Sequence, residues 1–241
     1  MRVEIGNVEA IFKYPVKSLA GERLEAATLG GHGLNGDRRL AFRRAGDCSG
    51  MPWLTASKLP DLLRFSPLLC EDSTQEDLPT HIRTPDGEDL PLFGEDLSAK
   101  VGRWCGVPVQ MMHLKQGIFD ETSVSVIATE TVREVGRIAG HSADVRRFRP
   151  NIVVRLLRLT PFEEDKWLGS EISFGKEEDA PPVAIPCRDV RCPMVNFDPD
   201  TANAAPEVLR AIVRATQNNA GVYGTVTRIG LLRVGQTVFL H

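Results

Sequence analysis

Short apolar runs, broken at close intervals by 21 glycines in 241 residues, constrain this chain more than any other feature. Such runs are too brief for long helices and suit strands joined by tight turns. Strong helical spacing is concentrated in one segment. Val132, Val135 and Ile138-Ala139 recur on one face after Thr129 and Glu130, and Gly140 closes the run. This predicts a helix over 128–140 with Thr129 as its cap. A second helix is predicted over 206–216, with Pro206 in its first turn and Val208-Leu209 and Ile212-Val213 as its apolar side. Val3, Ile5, Val8, Ile11 and Phe12 alternate loosely and predict a strand over 2–12. Further strands are expected at 24–29, 40–42, 152–157, 223–228, 230–233 and 237–240. Leu59-Pro60-Asp61-Leu62-Leu63 suggests a short helix or turn. Pro85-Asp86-Gly87 and Gly235-Gln236 are turns, and Gly30-Gly31-His32-Gly33 marks a turn or a close backbone approach. The pattern points to a β-rich α+β protein with barrel-like architecture. A boundary candidate falls near Gly94-Glu95-Asp96.

Composition narrows the class. Apolar residues make up 42% and charged residues 25%, as in ordinary globular proteins. A net charge of −3 and 6% aromatics favour neither nucleic acid nor membrane as partner. No apolar run approaches the ~20 residues of a membrane helix. The N-terminus lacks the apolar stretch of a signal peptide, so a cytoplasmic location is expected. The five cysteines (Cys48, Cys70, Cys105, Cys187, Cys192) are odd in number and are expected to be free thiols. The five histidines are scattered, and no second Cys or His pair completes a zinc site.

Five segments collect polar groups that local apolar patterning does not explain. In Arg191-Cys192-Pro193-Met194, a thiol follows an arginine in a turn-rich loop. Only a thiolate is a strong nucleophile or soft-metal ligand, and nearby positive charge favours it. The competing reading is a small buried hydrophobe. Lys17-Ser18 could hold a phosphate through a point charge and a hydroxyl, or could be a solvated turn. In Gly36-Asp37-Arg38-Arg39, an aspartate could fix a guanidinium for anion binding, or form a surface pair worth roughly 0–1 kcal/mol. Arg146-Arg147-Phe148-Arg149-Pro150-Asn151 could face an anion or form a basic patch. In Asp120-Glu121-Thr122-Ser123, the hydroxyls could cap local structure or donate to a ligand. The chain has neither the Lys-Ser/Thr ending of a P-loop nor a Gly-x-Ser-x-Gly elbow.

Taken in order, Tyr14-Pro15-Val16-Lys17-Ser18, Gly36-Asp37-Arg38, Phe148-Arg149-Pro150-Asn151-Ile152-Val153 and Arg191-Cys192 with Asp198-Pro199 resemble the MOSC superfamily. The first two resemble its N-terminal β-barrel domain and the last two the MOSC domain. The tail from Gly221 to Val238 is similar to the closing strands. The resemblance implies an N-terminal MOSC β-barrel-like domain over 1–94, followed by a MOSC β-barrel domain with a few helices over 95–241. It further implies molybdenum cofactor (molybdopterin), with Cys192 as thiolate ligand to molybdenum. Lys17, Ser18, Arg38, Thr122, Ser123, Arg149 and Asn151 match positions around the pterin and its phosphate.

Similarity to the amidoxime-reducing members implies an oxidoreductase that reduces N-hydroxylated small molecules. The alternatives are a sulfur carrier with a persulfide on Cys192, or a non-catalytic cofactor carrier. Family members often have Cys-x-x-Cys where this chain has Cys187 and Cys192 with four residues between them. The loop before the ligand is therefore two residues longer. The chain ends at His241 with no iron–sulfur domain, so a separate ferredoxin-, cytochrome- or flavin-type reductase is expected to deliver electrons.

Overall fold

A computed structural model describes residues 2–68, 78–176 and 180–241. Cys70 lies outside the described residues, as does part of the stretch between the 59–63 segment and Phe93. The chain begins with β1 (Val3–Lys13), β2 (Glu22–Leu24), β3 (Ala26–Gly30), β4 (Gly33–Leu34) and β5 (Leu40–Arg44). After a 3₁₀ turn at Pro60–Arg64 come β6 (Ser66–Leu68), β7 (His81–Arg83), β8 (Asp89–Pro91), α1 (Glu95–Cys105) and β9 (Val109–His113). The second half runs β10 (Val124–Ala128), α2 (Thr129–Ala139), β11 (Ile152–Leu156), β12 (Glu171–Phe174) and β13 (Pro182–Val190). It finishes with α3 (Glu207–Thr216), β14 (Asn219–Val226), β15 (Gly230–Arg233) and β16 (Thr237–Leu240). The chain is α+β and β-rich, as its glycine-broken pattern implied.

Seven strands close a barrel in the order β11–β10–β14–β13–β12–β16–β1, with β1 pairing back onto β11. Of these neighbours only β10 and β11 run parallel. Closure removes the exposed edges that an open sheet would present. Val8, Val126, Val154, Trp167, Phe174, Val183, Val222 and Val238 fill the interior. Ile127 and Val153 point outward and pack against Val132 and Val135 of α2 and Val208 and Ile212 of α3. Strand β10 is thus buried on both faces, which explains why Ser125 is its one polar residue. A second core gathers Val16, Leu40, Phe42, Leu62, Phe65, Ile82, Leu97 and Val101.

Two expectations require correction, and one helix has no counterpart among the predicted elements. The 24–29 strand is two strands, β2 and β3, which pair with β1 and β15 respectively. Helix α1 leaves no strong helical pattern in the sequence, although Glu95 and Asp96 occupy its first turn and left-handed Gly106 ends it. Its buried positions are only Leu97, Lys100 and Val101, too narrow a stripe to give a strong period. Thr129 does not cap α2. The N-cap position is Ala128, and the Thr129 hydroxyl donates instead to Glu9. The Glu164 carboxylate, distant in sequence, accepts from the Ala128 N–H at 3.2 Å and the Thr131 hydroxyl at 2.9 Å.

The ends of β1, β10, β11 and β13 converge at one end of the barrel. Ile11 pairs with Ile152, and the Phe12 N–H donates to the Asn151 carbonyl at 2.9 Å. The Asn151 N–H donates to Ser125 at 2.8 Å. Segments 14–18 and 37–40 are laced to this end. Arg38 N–H donates to Tyr14 at 2.7 Å, Lys17 N–H to Leu40 at 2.7 Å, and Leu40 N–H to Pro15 at 3.1 Å. Motifs far apart in sequence therefore open onto one place.

Candidate functional site

A cleft of about 320 Å³ occupies this end of the barrel, and Lys17, Ser18, Arg38, Arg149 and Cys192 all line it. Three of these, Ser18, Arg38 and Arg149, are non-glycine residues with positive φ, at 69°, 51° and 50°. Left-handed backbone disfavours residues with a Cβ by roughly 1–2 kcal/mol each, and three of the seven such residues among those described lie at this cleft.

Each cation is held differently. Lys17 Nζ pairs with Asp120 Oδ1 at 2.9 Å. Burial disfavours the charged Asp120, but the attraction and hydrogen bond of Lys17, together with the Arg38 and Arg149 charges, outweigh it and hold the carboxyl below its usual range. Arg38 ion-pairs with the fully buried Asp37 and donates to the Arg149 carbonyl at 2.9 Å and Asn151 Oδ1 at 3.2 Å. Burial would lower its pKa, but Asp37 keeps it above the ordinary arginine value.

Arg149 is only 9% exposed and has no carboxylate in ion-pair contact among the described residues. Its Nη1 donates to the Leu19 carbonyl at 2.7 Å, and its guanidinium lies 4.1 Å from the Tyr14 ring centre. Burial pushes its pKa down to about 10, so it remains charged at neutral pH. Its Nη2 and the Ser18 Oγ are buried without hydrogen-bond partners. Unpaired buried donors are costly, and two at one cleft floor mark where an anion's oxygens would be received.

Cys192 is exposed, at the N-cap of the 3₁₀ turn Pro193–Asn196, with Ser57 Oγ 4.0 Å from its Sγ. The neighbouring arginines do not face it as the sequence suggested. Arg191 turns inward, donating to Ala220 and Phe148 carbonyls at 2.7 Å each and pairing with Asp189 at 2.9 Å. Arg188 pairs with Asp165 at 3.4 Å. Arg191 works instead as a buried anchor beneath the thiol loop. Gly221 makes room for it: with φ +83°, a Cβ there would lie 2.7 Å from the Val126 carbonyl oxygen and 3.1 Å from Arg191 Nη2. Asp189 also accepts from Ser125 Oγ at 2.8 Å, and burial raises its pKa to about 6 despite Arg191. Downstream, Arg147 ties the loop to the barrel through the Asn196 carbonyl at 2.8 Å and Asp198 at 3.1 Å.

Three expected residues sit outside the cleft lining. Asn151 is fully buried behind Arg38. Its amide accepts from Ser125 N–H at 3.0 Å and donates to the Phe12 carbonyl at 3.2 Å. Thr122 donates to the Gly224 carbonyl at 2.8 Å. Ser123 backs onto left-handed Gly33, where a Cβ would lie 2.4 Å from the Ser123 carbonyl oxygen. This is the close approach anticipated in the Gly30–Gly33 cluster. The cleft instead recruits Ser125, Asp189, Tyr223, Ser57, Thr55 and Met51. No spacing in the sequence singles these out; closure of the barrel brings them together. Asp120, Arg147 and Arg191 belonged to recognised segments.

The fold and cleft define a class: a closed β-barrel that gathers buried cations and unpaired donors around an exposed thiol. The chain belongs to the MOSC family. The MOSC domain matches residues 111–239, and the MOSC N-terminal beta barrel domain matches residues 5–121. MOSC domains are associated with molybdenum cofactor as a class. The chain is similar to mitochondrial amidoxime reducing component 2 of Bos taurus, at 24% identity over 98% of this chain and 83% of the relative. Among solved structures, the YuaD protein from Bacillus subtilis aligns over 100% of this chain and 97% of its own, with TM-score 0.53 and 14% identity. That likeness is one of fold.

The residues present fit an anionic cofactor carrying a soft metal. Ser18 Oγ and Arg149 Nη2 are donors without partners, and a cysteine supplies the soft ligand atom. Among the described residues, no three His, Cys, Asp or Glu side chains gather as a metal site.

Proposed function

We propose that this protein binds molybdenum cofactor in the Cys192 cleft and reduces N-oxygenated small molecules. The observation that carries the proposal is the convergence on one cleft of an exposed thiol, an uncompensated buried arginine and an unpartnered buried hydroxyl. Lys17, Ser18, Arg38 and Arg149 would hold the phosphate and pterin, and Cys192 would bind the metal as thiolate. The bound cofactor supplies a two-electron redox centre, which the side chains themselves lack. The chain's part is to fix its position. Asp37 and Asn151 orient Arg38, the Tyr14 ring supports Arg149, and the Arg191–Asp189 pair anchors the thiol loop. Reduction of an N-hydroxy group to N–H plus water takes two electrons and two protons. A separate donor protein is proposed to supply the electrons.

Similarity to the amidoxime reducing component supports the choice of substrate class. The test is reduction of an N-hydroxylated substrate by cofactor-loaded protein with an artificial electron donor. Turnover that disappears in Cys192→Ala is expected. Loaded, folded protein with no N-reduction would leave a carrier, and labelled sulfur retained on Cys192 of metal-free protein would indicate a sulfur carrier.

A further inference from the structure

The cleft is chemically two-sided. Its floor is cationic, from Lys17, Arg38 and Arg149. Beside Cys192 the lining also carries the apolar side chains of Met51, Val190 and Met194. Met51 and Val190 are exposed, at 44% and 63%, and Met194 is half-buried. Isolated exposed apolar side chains need no explanation, but several around one reactive atom form a recognition surface. Val190 is the last residue of β13, and Met194 lies in the 3₁₀ turn just past the thiol. Met51 is brought across from the loop after β5 and held there: Arg44 Nη2 donates to its carbonyl at 2.8 Å.

Most charges that line the cleft are already engaged. Lys17 and Asp120 neutralise each other at 2.9 Å, and Arg191 and Asp189 pair below the surface at 2.9 Å. Among the described residues that line the cleft, Arg149 is the one cation without a carboxylate in ion-pair contact, and it lies on the floor rather than beside Met51, Val190 and Met194. The nearby polar groups are hydroxyls, of Ser57 and Thr55.

We infer that Met51, Val190 and Met194 form an apolar collar that selects the substrate. The favoured substrates carry their reducible N–O group on an uncharged apolar body, aromatic or aliphatic, which packs against the collar while the polar end reaches Cys192. Two of the three residues are methionines, whose flexible thioethers adapt to varied shapes. The collar therefore sorts by polarity rather than by outline. This inference rests on the proposed function for the reaction, but the collar itself can be tested without cofactor.

In metal-free protein, Cys192 is treated with N-phenylmaleimide and N-methylmaleimide, and peptide mapping follows its modification separately from that of exposed Cys48. The ratio of phenyl to methyl rates at Cys192 is expected to exceed that at Cys48 by about 3- to 10-fold, the scale of partial burial of an aromatic ring. Met51→Ser combined with Val190→Ser should bring the two ratios together. In loaded enzyme, the same double variant should raise KM for an aromatic amidoxime while leaving KM for N-hydroxyurea nearly unchanged. Equal ratios at Cys192 and Cys48 in the parent protein overturn the collar. So does a ratio that the double variant leaves intact in folded protein. Both readouts of the thiol stand whether or not molybdenum binds, so failure of the collar and failure of the cofactor reading are separable.

Discussion

Replacing Asn151 separates a residue that builds the cleft from one that touches its ligand. The Asn151 amide accepts from the buried Ser125 N–H, donates to the Phe12 carbonyl and accepts from Arg38 Nη1. Asn151→Ala removes all three bonds. Arg38 keeps Asp37 and the Arg149 carbonyl, but the Ser125 N–H loses its acceptor inside the barrel end. A buried unsatisfied N–H costs about 1–3 kcal/mol, and a lost neutral hydrogen bond adds about 1. The expected loss is therefore about 3 kcal/mol. For a chain of this size that lowers Tm by about 6–12 °C. Urea unfolding of cofactor-free protein measures it directly, with the m-value checking that two-state behaviour holds. Cofactor occupancy should fall too, because Arg38 is less firmly held. A stability loss below about 0.5 kcal/mol, within the range of an ordinary surface substitution, refutes the reasoning. If occupancy then still collapses, Asn151 touches the ligand itself.

Other perturbations probe the same architecture. Glu164 is fully buried, and burial raises its pKa from 4.5 to about 7, so its ionisation opposes folding as pH rises from about 4.5 to 7. The penalty reaches about 3 kcal/mol above that window. Glu164→Gln should consequently gain stability relative to the parent at pH 8 and show no gain at pH 4; a pH-independent difference in Tm contradicts this. Gly221→Ala forces a Cβ into left-handed backbone beside Arg191 and should cost at least about 1–2 kcal/mol in denaturant unfolding. It should also speed alkylation of Cys192 by loosening the loop; an unchanged melting curve would refute the close approach. Arg149→Met removes a buried charge that lacks an ion-pair partner among the described residues. Apo stability should change by no more than about 1 kcal/mol while cofactor occupancy drops, because desolvation offsets what the lost contacts contributed. A large stability loss would make Arg149 a structural residue.

The β-rich class and both patterned helices were legible because each rests on local periodicity and end signals, such as Gly140 closing α2. Helix α1 escaped because most of its surface is polar. The capping of α2 escaped because Glu164 supplies it from another element. The same contrast holds at the cleft. Lys17-Ser18, Arg38, Arg149 and Cys192 stand out as unexpected polar groups in short motifs, and the structure brings all of them to one place. Thr122, Ser123 and Asn151 carry equally suggestive side chains, yet they are turned into the framework. Whether a hydroxyl or amide faces ligand or backbone depends on strand register, which one sequence does not display. Asp189 shows the converse. It is an unremarkable acid in sequence until the irregular pairing of β13 with β14 puts it beside Ser125 and Arg191.

The most direct test is the molybdenum and pterin content of the protein purified from a host that makes the cofactor. Near-stoichiometric metal and pterin are expected in the parent protein. Both should fall sharply in Arg149→Met, and metal should be lost or weakly held in Cys192→Ala, with every variant still folded. Folded parent protein that emerges free of molybdenum and pterin, and takes up neither on incubation with free cofactor, would contradict the assignment of the cleft.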